Sequence, residues 1–360
     1  MKKVTIKDIA RIAGVSRGTV DRVINGRGSV TPEVEQRIIK IASDLGYEKN
    51  LMASALASNR VFRIAIVTPD PNSDSFWMQP REGIQNALEL VKHYGIIVDY
   101  FDFNLFRKDE FEMQMENAIN SKPDAILTAP TFTQESLEYL EMAEQNNIPF
   151  ITINTEIHHP DVLCYVGQNS FNSGYLAGRL FYLRLKPGDE IITLNLGHTL
   201  ANAQHYSDKL AGLREYIQTH HMTENPVYWY EFDQFLDEDK LLEFWQDIKA
   251  RHPRMKGIFF TNSRAFRIVK FFSPEDSRRY DVVGFDMIDP NIQFLKEDMI
   301  DFIINQNPIL QGYMGIMNFV NHFVLKKEVK KIQYLPLDIV IKENVDFYID
   351  NFRNHTVAKG

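Results

Sequence analysis

Residues 5–25 of this 360-residue chain, TIKDIARIAGVSRGTVDRVIN, leave little freedom in how they can fold. Ile6, Ile9, Ala10 and Ala13 recur at the spacing of one helical face. Thr5 is placed as an N-cap, with Asp8 able to reach back to its amide. Gly14 suits the left-handed conformation that ends a helix, and Val15 can plug the corner. Ser16 then caps a second helix whose buried side is Val20, Val23 and Ile24. Its other side shows Arg17, Thr19, Asp21 and Arg22. Two short helices joined by so tight a turn predict a helix-turn-helix unit, whose second helix enters a DNA major groove. A plain helical hairpin with a basic face would read similarly. The clustered basic side chains and an immediate third helix favour the DNA-binding reading. After the loop Asn25-Gly26-Arg27-Gly28-Ser29, Thr31, Pro32 and Glu33 open that third helix. Val34, Ile38, Ile41, Ala42 and Leu45 are its apolar stripe, and Gly46 ends it.

Charge divides at about the same place. Residues 1–60 hold 11 Lys and Arg against 6 Asp and Glu, whereas the whole chain is at −8. A basic head on an acidic body implies that only the head meets nucleic acid. Residues 47–60, YEKNLMASALASNR, are too short and too weakly amphipathic to be a stable helix alone. They are expected to be a passive linker, or a hinge helix ordered on DNA or on a symmetry mate.

From Val61 the texture becomes alternating strand and helix. Strands are expected at 63–68, 96–103, 124–129, 149–154, 164–168, 190–196, 227–232, 257–261, 281–286 and 301–306, with helices between most of them. This alternation is the mark of α/β doubly wound parallel sheets, and so many strands call for two lobes. Ligands of such sheets bind at the carboxyl ends of strands or between lobes.

In this order the pieces resemble the LacI/GalR family of bacterial transcription regulators. TIKDIARIAGVS, TVDRVIN and VTPEVEQRIIKIASDLGY are similar to that family's head. RIAIVTP, YVGQNS, AGLREYI, IFFTNS, VVGFD and INQNP resemble its effector-binding core, a fold of the periplasmic sugar-binding-protein type. The resemblance implies an N-terminal three-helix head at 1–46, a hinge helix at 47–60 and a two-lobed periplasmic-binding-protein-like core at 61–360. One lobe would take about 61–165 plus 306–330, the other about 166–305 plus 331–360. It also implies a ligand-responsive regulator, expected to be a repressor, binding a palindromic operator as a homodimer. The effector expected in the interlobe cleft is a sugar or sugar derivative.

Carried over residue by residue, base reading falls on Arg17 and Gly18, with Arg22 one turn later. Thr5, Ser16, Thr19, Asn25 and Ser29 complete the expected DNA-contacting set. Gly18 and Asp21 depart from the family pattern, the first lacking a side chain and the second bringing a carboxylate near phosphate. Leu56 matches the leucine that the family wedges into the minor groove, while Lys49 stands where the family often has proline. In the core, Asp74, Phe76 and Trp77 follow the first strand, where aromatic faces and a carboxylate would hold a sugar; packing between lobes is the other role open to the two rings. Asn154, Asn169, Asn262, Asp286 and Gln306 are the further cleft residues. The family's ligand-binding arginine falls on Ser207, so Gln204 and His205 are expected to substitute for it.

Cys164 is the only cysteine, which rules out an internal disulfide and a cysteine-based metal cluster. His158-His159 and His220-His221 lack ligand spacing, so no metal or other cofactor is expected. No apolar run approaches the ~20 residues that span a membrane, and MKKVTIKDIARIAG has no export leader pattern. A cytoplasmic, non-enzymatic protein without a membrane partner is expected. A sugar-binding protein or an enzyme on the same two-lobed fold is the alternative; the head and the missing leader disfavour the first, and Asp74 with Asp286 could suggest the second.

Overall fold

The computed structural model describes residues 4–25, 28, 30–47, 60–197 and 204–350. It divides into two units, 1–59 and 60–360.

The first unit holds α1 (Ile6–Ala13), α2 (Arg17–Asn25) and α3 (Pro32–Asp44). Thr5 N–H donates to the Asp8 carboxylate over 3.0 Å, closing the expected capping box. Gly14 sits at φ 65°, and its left-handed turn aims α2 across α1. Ile9, Ala10, Ala13, Val20, Ile38 and Ala42 bury together as the core of this small unit. The expected linker or hinge helix at 47–60, with Leu56, lies almost wholly outside the described residues, as does Ser29.

The second unit opens with β1 (Phe62–Val67), α4 (Met78–Val91), β2 (Ile96–Tyr100), α5 (Lys108–Asn120), β3 (Ala125–Thr128), α6 (Thr133–Gln145), β4 (Phe150–Ile153) and β5 (Val162–Gly167). It continues with α7 (Ser170–Tyr182), β6 (Glu190–Leu196), α8 (Gln204–Thr219), β7 (Val227–Phe232), α9 (Glu238–Arg251) and β8 (Met255–Phe260). Short helices α10 (Ala265–Val269) and α11 (Pro274–Arg279) lead to β9 (Asp281–Phe285), α12 (Asp289–Lys296), β10 (Phe302–Asn305), α13 (Pro308–Phe319), β11 (Ile332–Tyr334) and β12 (Asp338–Val340). Two six-stranded sheets result, ordered β11-β5-β4-β3-β1-β2 and β12-β10-β9-β8-β6-β7. Each repeats the same doubly wound order in its first five strands. All described pairings are parallel except β10 with β12. Strands β3, β4, β6 and β9 are buried at every residue, as sheets covered by helices on both faces require.

The chain crosses between lobes three times, at Gln168–Asn169, at Gln306–Asn307 and at 335–337. The last crossing lies later than the expected return at 331. Ile332, Gln333 and Tyr334 pair with Tyr165, Val166 and Gly167 of β5, so β11 still belongs to the first lobe.

In each lobe one helix pair packs backbone to backbone through glycine. A Cβ on Gly83 of α4 would stand 1.8 Å from the Ile309 carbonyl oxygen of α13. A Cβ on Gly174 of α7 would stand 1.7 Å from that of Lys209 in α8. These contacts fix how closely the two helices of each pair approach.

Candidate functional site

The carboxyl ends of both sheets meet across a cleft. From the first lobe Asp74, Phe76, Trp77, Leu105, Thr131 and Asn154 line it. The crossing supplies Gln168 and Gln306, and the second lobe supplies His205, Tyr206, Lys209, Asn262, Arg264 and Asp286. Every one follows the end of a strand or sits in the first turns of α8. This is where doubly wound sheets leave room at their switch point.

Asn154 and Asp286 take left-handed backbone, at φ 66° and 64°. Such conformations cost free energy in a non-glycine residue and turn the side chain off the strand axis. Gln306 ties this part of the cleft together. Its side-chain oxygen accepts from Asn154 at 3.2 Å and from Gln168 at 2.9 Å. Its Nε2 donates to Asp286 Oδ2 at 3.1 Å. Asp286 Oδ1 and Gln168 Oε1 are buried with no hydrogen-bond partner among the described residues.

Two cations enter the cleft that the sequence reading did not name. Lys209 is 2% exposed; its ammonium donates to the Thr261 carbonyl at 2.7 Å and lies 3.5 Å from the centre of the Phe285 ring. Burial pushes the Lys209 ammonium down and the Asp286 carboxyl up, each opposed by the charge of the other. Arg264 donates to the Leu196 carbonyl at 2.6 Å and bonds Asp74 across the cleft. Its guanidinium packs against two neighbouring rings, 5.2 Å from the Phe106 ring centre and 4.9 Å from that of Phe235. Asp74 cannot swing away freely, because its Oδ1 also accepts the Phe76 N–H at 3.0 Å. Phe76 and Trp77 are buried and meet edge to face, with ring centres 5.1 Å apart. The His205 imidazole is held down to about 3 by burial and by Lys209, so it is neutral near pH 7.

Of the expected cleft residues, Asp74, Phe76, Trp77, Asn154, His205, Asn262, Asp286 and Gln306 come together here. Asn169, Gln204 and Ser207 do not line the cleft. Asn169 caps α7 instead, accepting the Asn172 N–H at 2.8 Å. Gln204 donates to Asp208 at 2.8 Å, one turn along the outside of α8. The Ser207 hydroxyl closes on the Gln204 carbonyl at 2.8 Å. A helix that points His205 inward points Lys209 inward too, one turn on, and turns Ser207 aside. That i, i+4 spacing was the signal for Lys209. Arg264 gave no comparable signal, since it stands in a loop beside Asn262.

In the head, Arg17, Gly18 and Arg22 are exposed on α2. Ser16 Oγ accepts the Thr19 N–H at 3.1 Å and meets Thr19 Oγ1 at 2.9 Å, so both hydroxyls serve the start of α2. Arg22 Nε lies back on the Gly18 carbonyl at 3.2 Å. Asp21 is half-buried; burial first, and the Asp21 charge second, hold the Tyr47 phenol above its ordinary pKa, which places the carboxylate towards the end of α3. Asn25 is the last residue of α2.

Residues 5–50 match the family model for bacterial regulatory proteins of the lacI family, and residues 64–327 match that for a periplasmic binding protein domain. The regulator MalR of Streptococcus pneumoniae is 26% identical over 299 residues, which cover 80% of this chain and 85% of that protein. Catabolite control protein A of Priestia megaterium is 31% identical over 165 residues, 42% of this chain and 48% of that one. The sucrose operon repressor of Staphylococcus xylosus is 29% identical over 174 residues, 48% of this chain and 51% of its own length. Among solved structures, a protein from Bacteroides fragilis described as a LacI transcriptional regulator superposes with a TM-score of 0.73 at 26% identity, over 80% of this chain and all of that one. A glucose-galactose binding protein from Geobacillus stearothermophilus shares the fold, with a TM-score of 0.70 at 19% identity over 80% of this chain and 99% of that one. The chain belongs to the lacI family of bacterial regulatory proteins: it is a DNA-binding transcription regulator whose core is a periplasmic binding protein domain.

Proposed function

We propose that this regulator acts in the cytoplasm as a homodimeric repressor whose hold on a two-fold symmetric operator is set by a sugar in the interlobe cleft. The observation that carries the effector reading is the cleft itself, which the Phe76 and Trp77 rings line together with the buried carboxylate and amide groups of Asp286, Asn262 and Gln306. Apolar ring faces and convergent hydrogen-bonding groups are what a sugar ring presents in complement. As the lobes stand, they enclose about 60 Å³, below the ~300 Å³ at which ligand pockets begin. Entry therefore requires the lobes to part, and closure on ligand changes their mutual setting. A ligand that favours one setting shifts operator affinity, and operator shifts ligand affinity by the same factor. A hydrolase role is disfavoured, because Asp74 is committed to Arg264 and to the Phe76 N–H and so is a poor proton donor.

The test is selection of random DNA duplexes by the full chain, repeated with each of a panel of sugars. A two-fold symmetric consensus whose capture changes with one sugar is expected. Arg22→Ala should weaken that consensus by about 1–3 kcal/mol, the scale of one arginine–guanine contact. Enrichment of no sequence, or a consensus that Arg22→Ala binds equally well, would remove the assignment of α2.

A further inference from the structure

We infer that the effector is an uncharged polyhydroxyl molecule, and that Asp74, by occupying Arg264, is the residue that shuts out sugar acids and sugar phosphates. The inference rests on the sugar reading of the cleft and narrows it.

The described lining residues carry two cations, Lys209 and Arg264, and two carboxylates, Asp74 and Asp286. His205 adds no charge near neutral pH. The sum is zero whether Lys209 and Asp286 are ionised or share their proton. An anionic ligand would therefore bring an unbalanced charge into a buried site, which is strongly disfavoured.

Such a ligand could still bind by taking a cation from its present partner. Both carboxylates resist this. With the lobes closed, Asp74 is held by the Phe76 N–H at 3.0 Å, and turning it from Arg264 uncaps the turn at Ser75–Trp77. Asp286 is fixed by Gln306 at 3.1 Å. Arg264 is further enclosed by the Leu196 carbonyl and by the Phe106 and Phe235 rings. In the closed cleft a phosphate or carboxylate set against Arg264 also lies beside the Asp74 charge.

The unmet hydrogen-bonding capacity points the same way. Asp286 Oδ1 and Gln168 Oε1 are buried acceptors with no partner among the described residues. Unpartnered oxygens of this kind call for hydrogen-bonding groups such as the hydroxyls of a polyhydroxyl ligand.

Isothermal titration calorimetry on the full chain tests this, with D-glucose, D-galactose, D-ribose and maltose against D-glucuronate, D-galacturonate, glucose 6-phosphate and ribose 5-phosphate. The wild type should bind a neutral sugar at least tenfold more tightly than any charged relative. Asp74→Asn should erase or reverse that ratio by freeing Arg264, and Asp74→Asn with Arg264→Gln should restore discrimination against anions. A matched melting temperature for both variants shows that the fold is intact. If the double variant alone folds, continued rejection of anions by it supports the charge balance, and acceptance of them refutes it. A charged sugar that binds wild type as well as its parent does would overturn this inference while leaving the sugar reading standing. An unchanged ratio in Asp74→Asn would acquit Asp74. Failure of every sugar to bind would bring down both readings.

Discussion

At the scale of single residues, the cleft works by keeping ionisable groups in states they would not choose in water. His205 is the clearest case. In the unfolded chain its imidazole takes a proton near pH 6.5, but in the cleft it does so only near about 3. Between those values the unfolded chain binds more protons than the native one, so native stability rises with pH across that window and falls as the pH is lowered through it. The slope approaches about 1.4 kcal/mol per pH unit. His205→Asn removes this component. Urea unfolding from pH 7 down to about pH 4 should show the stability gap between wild type and variant closing as the pH falls. A gap independent of pH would mean that His205 is not held neutral. Cys164, by contrast, is simply inert: burial pushes its thiol up to about 12, beyond any useful thiolate population.

At the scale of elements, the position of a cleft residue depends on contacts outside the cleft. Lys209 reaches the ligand side because α8 lies against α7 with no side chain between them at Gly174. Gly174→Ala would drive a methyl into the Lys209 carbonyl and push α8 outward. Overpacking of this kind costs about 1–3 kcal/mol. Thermal unfolding should show that loss, and calorimetry should show weaker effector binding as well, because Lys209 moves with its helix. Lost stability with unaltered effector affinity would mean that α8 shifts without carrying the cleft. The head follows a simpler rule. Its helices are set by a capping box, the left-handed Gly14 after α1 and Gly46 after α3, and six small or branched core residues, all local to the segment.

At the scale of the whole molecule, the two lobes are joined where Gln306 meets Asn154, Gln168 and Asp286. This one amide touches both lobes and two of the three crossings. Gln306→Ala leaves three buried polar groups short of a partner, each worth about 1–3 kcal/mol. Some water will enter, so a net loss of about 3 kcal/mol in chemical denaturation is expected, with effector affinity falling too. The response of operator binding to effector should weaken in parallel, since the lobes lose a contact specific to their closed setting. Full retention of effector response in a gel-shift titration would show that closure does not run through Gln306.

What the sequence alone determined follows from how locally each feature is encoded. The helix-turn-helix was legible because caps, turn and core lie within a few residues of one another. Strands β1 to β10 were legible because the inner ones are buried apolar runs and all ten alternate with helical or loop stretches in a regular order. Strand-end cleft residues such as Asp74, Asn154 and Asp286 were legible because the fold places strand ends at the cleft. Strands β11 and β12 were not, because three residues carry no periodicity and pair only once distant strands are in place. Tertiary structure alone decided which way α8 faces, and so brought Lys209 to the cleft lining and left Gln204 and Ser207 off it. It alone brought Arg264 to Asp74, residues 190 apart in the chain. Charge pairing across a cleft depends on where two lobes close, and no local pattern records that distance.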